Sequence, residues 1–159
     1  MKISYPSLFK STGFNDIDKA DIYKMFAEPF PHSKRRIMLT TKLREYIEQV
    51  NSLANRAGVN IEIWIDGSFT TEKLEPDDID LVISAKTCEL ESLPIELKDA
   101  FITLVDNNHT KVNYNCDVYF CSEDDVVNRS YWRGWFLFDR DEKPKGIVNR
   151  PEFIGDQFV

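Results

Sequence analysis

The sequence has few of the residues that build zinc sites and disulfide frameworks. Its 159 residues include three cysteines and two histidines, and these do not follow the spacing of a Cys/His zinc site. The cysteines, Cys88, Cys116 and Cys121, are odd in number, and the first residues do not resemble a signal peptide. We therefore expect reduced thiols in a cytoplasmic protein, as ordinary core or surface residues.

Long apolar runs and an excess of positive charge are also absent from the sequence. No apolar run reaches the length of a membrane span, so we expect no membrane contact. The net charge is −7, whereas binding to long duplex nucleic acid needs clustered lysine and arginine. A nucleotide is still compatible with this charge, because a metal ion can bridge acidic side chains to phosphates.

Hydrophobic periodicity divides the chain into helices and strands. Helical spacing begins after Ser33, a good N-cap residue, and stops at Gly58, a good helix terminator. Alternating or continuously apolar segments predict strands. The predicted core elements are a helix over 34–57, strands over 61–65 and 78–84, a helix over 94–106 and a strand over 111–120.

The predicted architecture is a single α+β (α/β-like) domain over residues 1–159, in which helices cover a mixed β-sheet. Its core spans about 34–120. An N-terminal extension, 1–33, contains a short helix within 17–26. A C-terminal β appendage, 121–159, begins with a short helix after Ser122 and continues as two strands around a polar turn at 139–145.

Carboxylates at the beginning of the second predicted strand are the main functional signal. Asp78 and Asp80 point to the same face, because side chains alternate along a strand. Asp117 lies inside the third predicted strand and completes a set of three carboxylates if the two strands are neighbours. Such a set can hold two Mg²⁺ ions, or Mn²⁺, which would position a nucleoside triphosphate such as ATP. The alternative is a solvated strand end, with Asp117 facing solvent on an edge strand.

The residues before this strand suit a phosphate-binding loop. Gly67 allows close approach of the backbone to a triphosphate, and Ser68 can donate hydrogen bonds to phosphate oxygens. Lys73 could also contact the phosphates, the alternative being a solvated loop lysine. Ser68 has no histidine within its motif, so a serine hydrolase is disfavoured.

Gly67-Ser68, nine intervening residues and Asp78-Ile79-Asp80-Leu81 resemble the signature of the DNA polymerase beta-like nucleotidyltransferase superfamily. Asp117, flanked by apolar residues, fits the third acidic position of that signature. The resemblance covers roughly residues 34–120 and is greatest to small bacterial members, including minimal ones encoded beside toxin genes. Asp66 is a departure, because the superfamily usually has a hydrophobic residue before the glycine.

The resemblance implies a metal-dependent nucleotidyltransferase that moves a nucleoside monophosphate to an acceptor hydroxyl and releases pyrophosphate. Asp78, Asp80 and Asp117 would bind the metals, and Asp117 would help to deprotonate the acceptor. The acceptor would be a protein hydroxyl, a small molecule or a tRNA end, and a toxin–antitoxin or defence setting, with a toxin as protein partner, follows by analogy. Two alternatives are a protein of this fold that neutralises a partner with little or no chemistry, and a nucleotide sensor.

Two further segments have both a functional and a purely structural interpretation. The first is a basic stretch at the start of the long helix, which could steer an anionic substrate or form a solvated helix face. The second is an aromatic and basic segment near the C-terminus, which could clamp a base or phosphate or contribute to the core. They comprise Lys34, Arg35, Arg36, Lys42 and Arg44, and Trp132-Arg133-Gly134-Trp135 with Arg140.

Overall fold

The computed structural model describes residues 5–9, 13–136 and 146–150. These residues form a mixed α+β fold, as the sequence predicts. The strands are β1 (Gly13–Asp16), β2 (Glu62–Asp66), β3 (Ile79–Ala85), β4 (Cys116–Ser122) and β5 (Gly146–Arg150). The helices are α1 (Ile22–Phe26), α2 (Lys34–Ala57), α3 (Thr87–Glu91), α4 (Ile95–Leu104), α5 (Asn107–Tyr114) and α6 (Val126–Phe136).

The five strands make one mixed sheet in the order β1-β5-β2-β3-β4. Strand β2 pairs antiparallel with β3, and β3 pairs parallel with β4. On the other side of β2, β5 is antiparallel to it and parallel to β1. Strands β3 and β4 therefore begin at the same edge of the sheet, and acidic residues at both beginnings can meet there.

Helix α2 forms where its caps predict it. The Ser33 hydroxyl oxygen accepts a hydrogen bond from the backbone N–H of Arg36 at 3.1 Å, and Gly58 ends the helix with φ 69°. The apolar stripe of α2 packs on one face of the sheet, with side chains such as Leu43, Ile47, Ile63 and Leu81 fully buried. On the opposite face, Trp64, Val82 and Cys121 form a smaller buried cluster against which Trp132 of α6 packs. Helices thus lie on both faces of the sheet.

The prediction of a strand over 111–120 is wrong in its first half. Residues 107–114 form α5, and β4 begins only at Cys116. The Asp106 carboxylate caps α5 by accepting from the Asn108 N–H at 3.0 Å, and Asn115 ends it in the left-handed conformation with φ 54°. The apolar alternation that suggested a strand does not reflect burial, because Val112 is 82% exposed.

The predicted C-terminal β appendage is also wrong in two respects. Residues 126–136 form the single helix α6, where the first strand of a pair was expected after a shorter helix. The second strand exists as β5, but it pairs with β1 and β2 and so belongs to the main sheet. The predicted turn at 139–145, and Arg140 with it, lies outside the described residues.

The N-terminal extension contributes to the same sheet. The predicted helix within 17–26 is reduced to a 3₁₀ turn, Lys19–Asp21, followed by α1, while β1 pairs with β5. Within the described part of the chain, no helix has the length and apolar character needed to cross a membrane.

Candidate metal centre

The structure brings the three predicted carboxylates together. Asp80 and Asp117 are directly paired across the parallel strands β3 and β4, and Asp78 lies immediately before β3. One carboxylate oxygen from each of the three lies within 4.8 Å of the others, and all three residues are partly buried. We call this group the carboxylate cluster. Oxygen ligands in this arrangement could hold a hard divalent cation.

Electrostatic repulsion within the carboxylate cluster favours a cation there. Burial raises the pKa of Asp78, and the negative charges of Asp117 and Asp77 raise it further. Burial also raises the pKa of the Cys116 thiol, and the charges of the three cluster carboxylates add to that increase. Both shifts have the sign expected where negative charge is concentrated in a poorly solvated place.

The two oxygens of the Asp117 carboxylate differ in hydrogen bonding. The Tyr119 hydroxyl donates to Oδ2 at 2.9 Å, while Oδ1 is buried and has no hydrogen-bond partner among the described residues. Burial and this hydrogen bond raise the pKa of Tyr119 to about 12, so its hydroxyl keeps its proton at neutral pH. A buried carboxylate oxygen without a partner is costly. The cluster therefore fits a bound divalent cation in geometry and in the chemistry of its donors.

Gly67 lies against the carboxylate cluster and has a conformation that requires glycine. Its φ and ψ are 83° and −168°, a region that other residues rarely occupy. A Cβ atom at this position would collide with the Asp80 carboxylate. Ser68 follows and opens a 3₁₀ turn, Ser68–Thr70, so the loop leaves the sheet immediately beside the cluster.

Asp66, the departure from the superfamily pattern, is buried next to the cluster. It is 4% exposed and pairs with Asp80 across β2 and β3, so the two side chains share a face of the sheet. The Thr70 hydroxyl donates to the Gly67 carbonyl at 3.0 Å and lies 3.5 Å from Asp66 Oδ1. Asp66 thus faces the loop that follows Gly67, and it is not one of the three residues in the cluster.

Arg36 organises this loop, which the sequence did not indicate. Its guanidinium donates to four backbone carbonyls and lies 3.9 Å from the centroid of the Phe30 ring. Burial lowers the pKa of Arg36 to about 10, so the group stays charged at neutral pH. The accepting carbonyls belong to Phe26, Phe69, Thr71 and Lys73. Neither interpretation of the basic stretch applies to Arg36, because the residue is fully buried.

Lys73 and the aromatic segment of α6 are the other predicted site residues. The positive charge of Lys73 opposes the rise in the pKa of Asp78, and its ammonium lies 6.0 Å from the Tyr5 ring. Trp132 packs on Tyr119, with ring centroids 5.0 Å apart. Trp132 thus contacts the tyrosine whose hydroxyl donates to Asp117, and Arg133, Gly134 and Trp135 belong to the same helix, α6.

Replacing Gly67 with alanine is expected to weaken divalent metal binding by about tenfold or more, because the added methyl group displaces Asp80. The measurement is a Mn²⁺ titration of the purified protein followed by electron paramagnetic resonance. Gly58→Ala is the matched control. It also forces alanine into a positive-φ position, but nothing lies within 4 Å of its Cβ. Gly58→Ala should lose about 1 kcal/mol of stability and keep wild-type Mn²⁺ affinity. Wild-type affinity in Gly67→Ala would contradict the proposed contact.

Comparison with known proteins gives a family but no activity. A family model described as "Family of unknown function (DUF6932)" matches residues 9–150, which include every described strand and helix. No curated protein and no solved structure matches the chain closely enough to indicate homology.

Proposed function

The chain belongs to the DUF6932 family, and we propose that it is a metal-dependent nucleotidyltransferase. It would transfer a nucleoside monophosphate from a nucleoside triphosphate to an acceptor hydroxyl. The observation that carries the proposal is the carboxylate cluster on neighbouring strands, with oxygens within 4.8 Å of one another. The resemblance to the DNA polymerase beta-like superfamily supports the same reaction, because Gly67 and Ser68 stand before the cluster at the superfamily's spacing.

Asp78, Asp80 and Asp117 would hold two Mg²⁺ ions, and Mn²⁺ could replace Mg²⁺. When bound, the ions would neutralise the phosphate charges and lower the pKa of an acceptor hydroxyl. Gly67 leaves the space that the Asp80 carboxylate occupies, and its backbone would approach the triphosphate beside that carboxylate. The Ser68 hydroxyl and the Lys73 ammonium are the groups of the loop that can bind phosphate oxygens.

The reaction forms a bond between the acceptor oxygen and the α-phosphorus. It breaks the bond between that phosphorus and the oxygen that bridges to the β-phosphate, and pyrophosphate leaves. The acceptor proton would pass to the Asp117 carboxylate, which in this proposal also binds a metal ion. The Tyr119 hydroxyl holds Oδ2 and so keeps the other oxygen directed at the site.

The acceptor class follows from charge. With a net charge of −7, a protein hydroxyl or a small molecule suits the protein better than a long nucleic acid does. A tRNA end is the remaining acceptor in this proposal. A toxin would be a suitable protein partner, by analogy with the minimal nucleotidyltransferases encoded beside toxin genes.

The test is a labelling experiment in lysate from the host. The purified protein is incubated with Mg²⁺ or Mn²⁺ and each of the four α-labelled nucleoside triphosphates, beside Asp78→Asn/Asp80→Asn. We expect label in a macromolecule or a small molecule only with the wild type. Protease or nuclease sensitivity of the product then gives the acceptor class. Nucleotide binding without transfer would favour a sensor, and absence of both would favour a partner-binding protein.

A further inference from the structure

Lys111 places an ammonium group at the edge of the carboxylate cluster. Its Nζ lies 3.8 Å from Oδ1 of Asp117, the same oxygen that has no hydrogen-bond partner among the described residues. The Lys111 side chain is 55% exposed and the Asp117 side chain 17%. The lysine thus reaches from solvent toward a buried carboxylate, but it stays beyond hydrogen-bonding distance.

The backbone of Lys111 is fixed relative to the site, whereas its side chain is 55% exposed. Helix α5 is tied to β4 because the Asn107 side-chain oxygen accepts from the Val118 N–H at 2.8 Å. The end of α5 is fixed by Asn115, whose N–H donates to the Lys111 carbonyl at 3.2 Å. A flexible four-carbon stem on such an anchor can move its charge between neighbouring acceptors.

The charge of Lys111 acts on more than Asp117. Together with Lys73, it opposes the rise in the pKa of Asp78 that burial and the neighbouring acids cause. The two lysines come from different elements, the loop after Gly67 and helix α5. Both charges therefore act on Asp78.

We propose that Lys111 is an exchangeable counterion of the carboxylate cluster and a triphosphate-binding residue. Without metal, its ammonium partly neutralises Asp117. Once a divalent cation takes Oδ1 of Asp117, repulsion between the two cations moves the ammonium away. The phosphate oxygens of a nucleoside triphosphate are the anionic groups that arrive at the same place, and a lysine ammonium binds them well. This inference rests on the proposed function and adds to it a phosphate ligand from α5.

The exchange predicts effects of opposite sign on two affinities. Lys111 competes with a metal ion when no nucleotide is present, so its removal should strengthen the binding of metal alone. Lys111 assists the nucleotide when metal is present, so its removal should weaken nucleotide binding. A residue that only maintains the local structure would lower both affinities. The difference in sign therefore separates the two roles.

The experiment uses Lys111→Met in the full chain, with Mn²⁺ and the α,β-methylene analogue of ATP as probes. We expect Mn²⁺ alone to bind about fivefold more tightly than to the wild type. In excess Mn²⁺, the analogue should bind about tenfold more weakly. Lys111→Arg keeps the charge and should stay close to wild type in Mn²⁺ affinity.

Lys24→Met is the control, because it removes the same charge from an exposed position on α1. It should leave both affinities unchanged. The inference is overturned if Lys111→Met leaves both affinities unchanged or weakens both, while the wild type binds Mn²⁺ and the analogue. If the wild type binds neither probe, the proposed function fails together with the inference.

Discussion

Asp78→Asn/Asp80→Asn is expected to reduce nucleotidyl transfer by about a thousandfold or more and to leave the fold intact. A bound metal contributes several kcal/mol of transition-state stabilisation, and about 1.4 kcal/mol corresponds to a factor of ten in rate. Asparagine has nearly the same shape as aspartate, so packing is kept. The measurement is the initial rate of label transfer at saturating nucleotide, together with a Mn²⁺ titration.

The same variant is expected to be at least as stable as the wild type in metal-free buffer. The pKa of Asp78 is raised in the folded protein, so the ionised carboxylate destabilises the fold at pH values above that raised pKa. Asparagine removes the penalty, and the melting temperature in chelator should be unchanged or higher. Asp77→Asn, at an exposed neighbouring position, is the control and should keep transfer activity. Full activity in the double variant, or its loss in Asp77→Asn alone, would contradict the assignment.

Arg36→Met is expected to lower the free energy of unfolding by about 3–5 kcal/mol. The substitution removes the hydrogen bonds from Arg36 to the four carbonyls and leaves these buried or partly buried acceptors without a charged donor. It also removes the contact with the Phe30 ring. Urea unfolding followed by tryptophan fluorescence measures the change. Since three of the four carbonyls lie in residues 69–73, Mn²⁺ affinity should fall as well.

Arg35→Met is the matched control for Arg36. It removes a neighbouring charge whose side chain is 40% exposed and lies 4.0 Å from the carboxylate of Glu75. A surface ion pair of this kind contributes about 1 kcal/mol at most, so the variant should unfold close to the wild type. Equal losses in the two variants would show that the Arg36 contacts are not what stabilises the loop.

Local signals in the sequence were sufficient for the elements around the cluster. Ser33 and Gly58 mark the ends of α2 because capping residues and left-handed glycines act on their own segment. The strands β2 and β3 follow from short apolar runs, and alternation then places Asp78 and Asp80 on one face. The position of Asp117 in a strand was also predicted, because Val118–Phe120 form the apolar part of that strand. The start of the strand was not predicted.

The parts that the sequence did not reveal depend on contacts between distant segments. Arg36 lies on the buried stripe of α2, three residues before Leu39, but its charge led to its assignment to the basic stretch at the start of the helix. The carbonyls that make its burial tolerable come from the loop after Gly67, and no local pattern identifies them. Lys111 was missed for a related reason. The residues around it were interpreted as a strand, whereas they form helix α5. The direction of a side chain differs between the two, because side chains alternate along a strand and follow the turns of a helix.

The order of strands in the sheet has a consequence for how the protein folds. The strands that carry the carboxylate cluster and its neighbours, β2 to β4, lie within residues 62–122, so their pairing closes loops of moderate length. The pairing of β1 with β5 joins residue 13 to residue 146 and has by far the largest sequence separation. Contacts between residues so far apart in the sequence form late and slow the folding of the whole chain. During synthesis, the edge of β2 that pairs with β5 stays unpaired until β5 leaves the ribosome. A nascent chain in which β2, β3 and β4 have already paired therefore exposes a strand edge that is prone to aggregation.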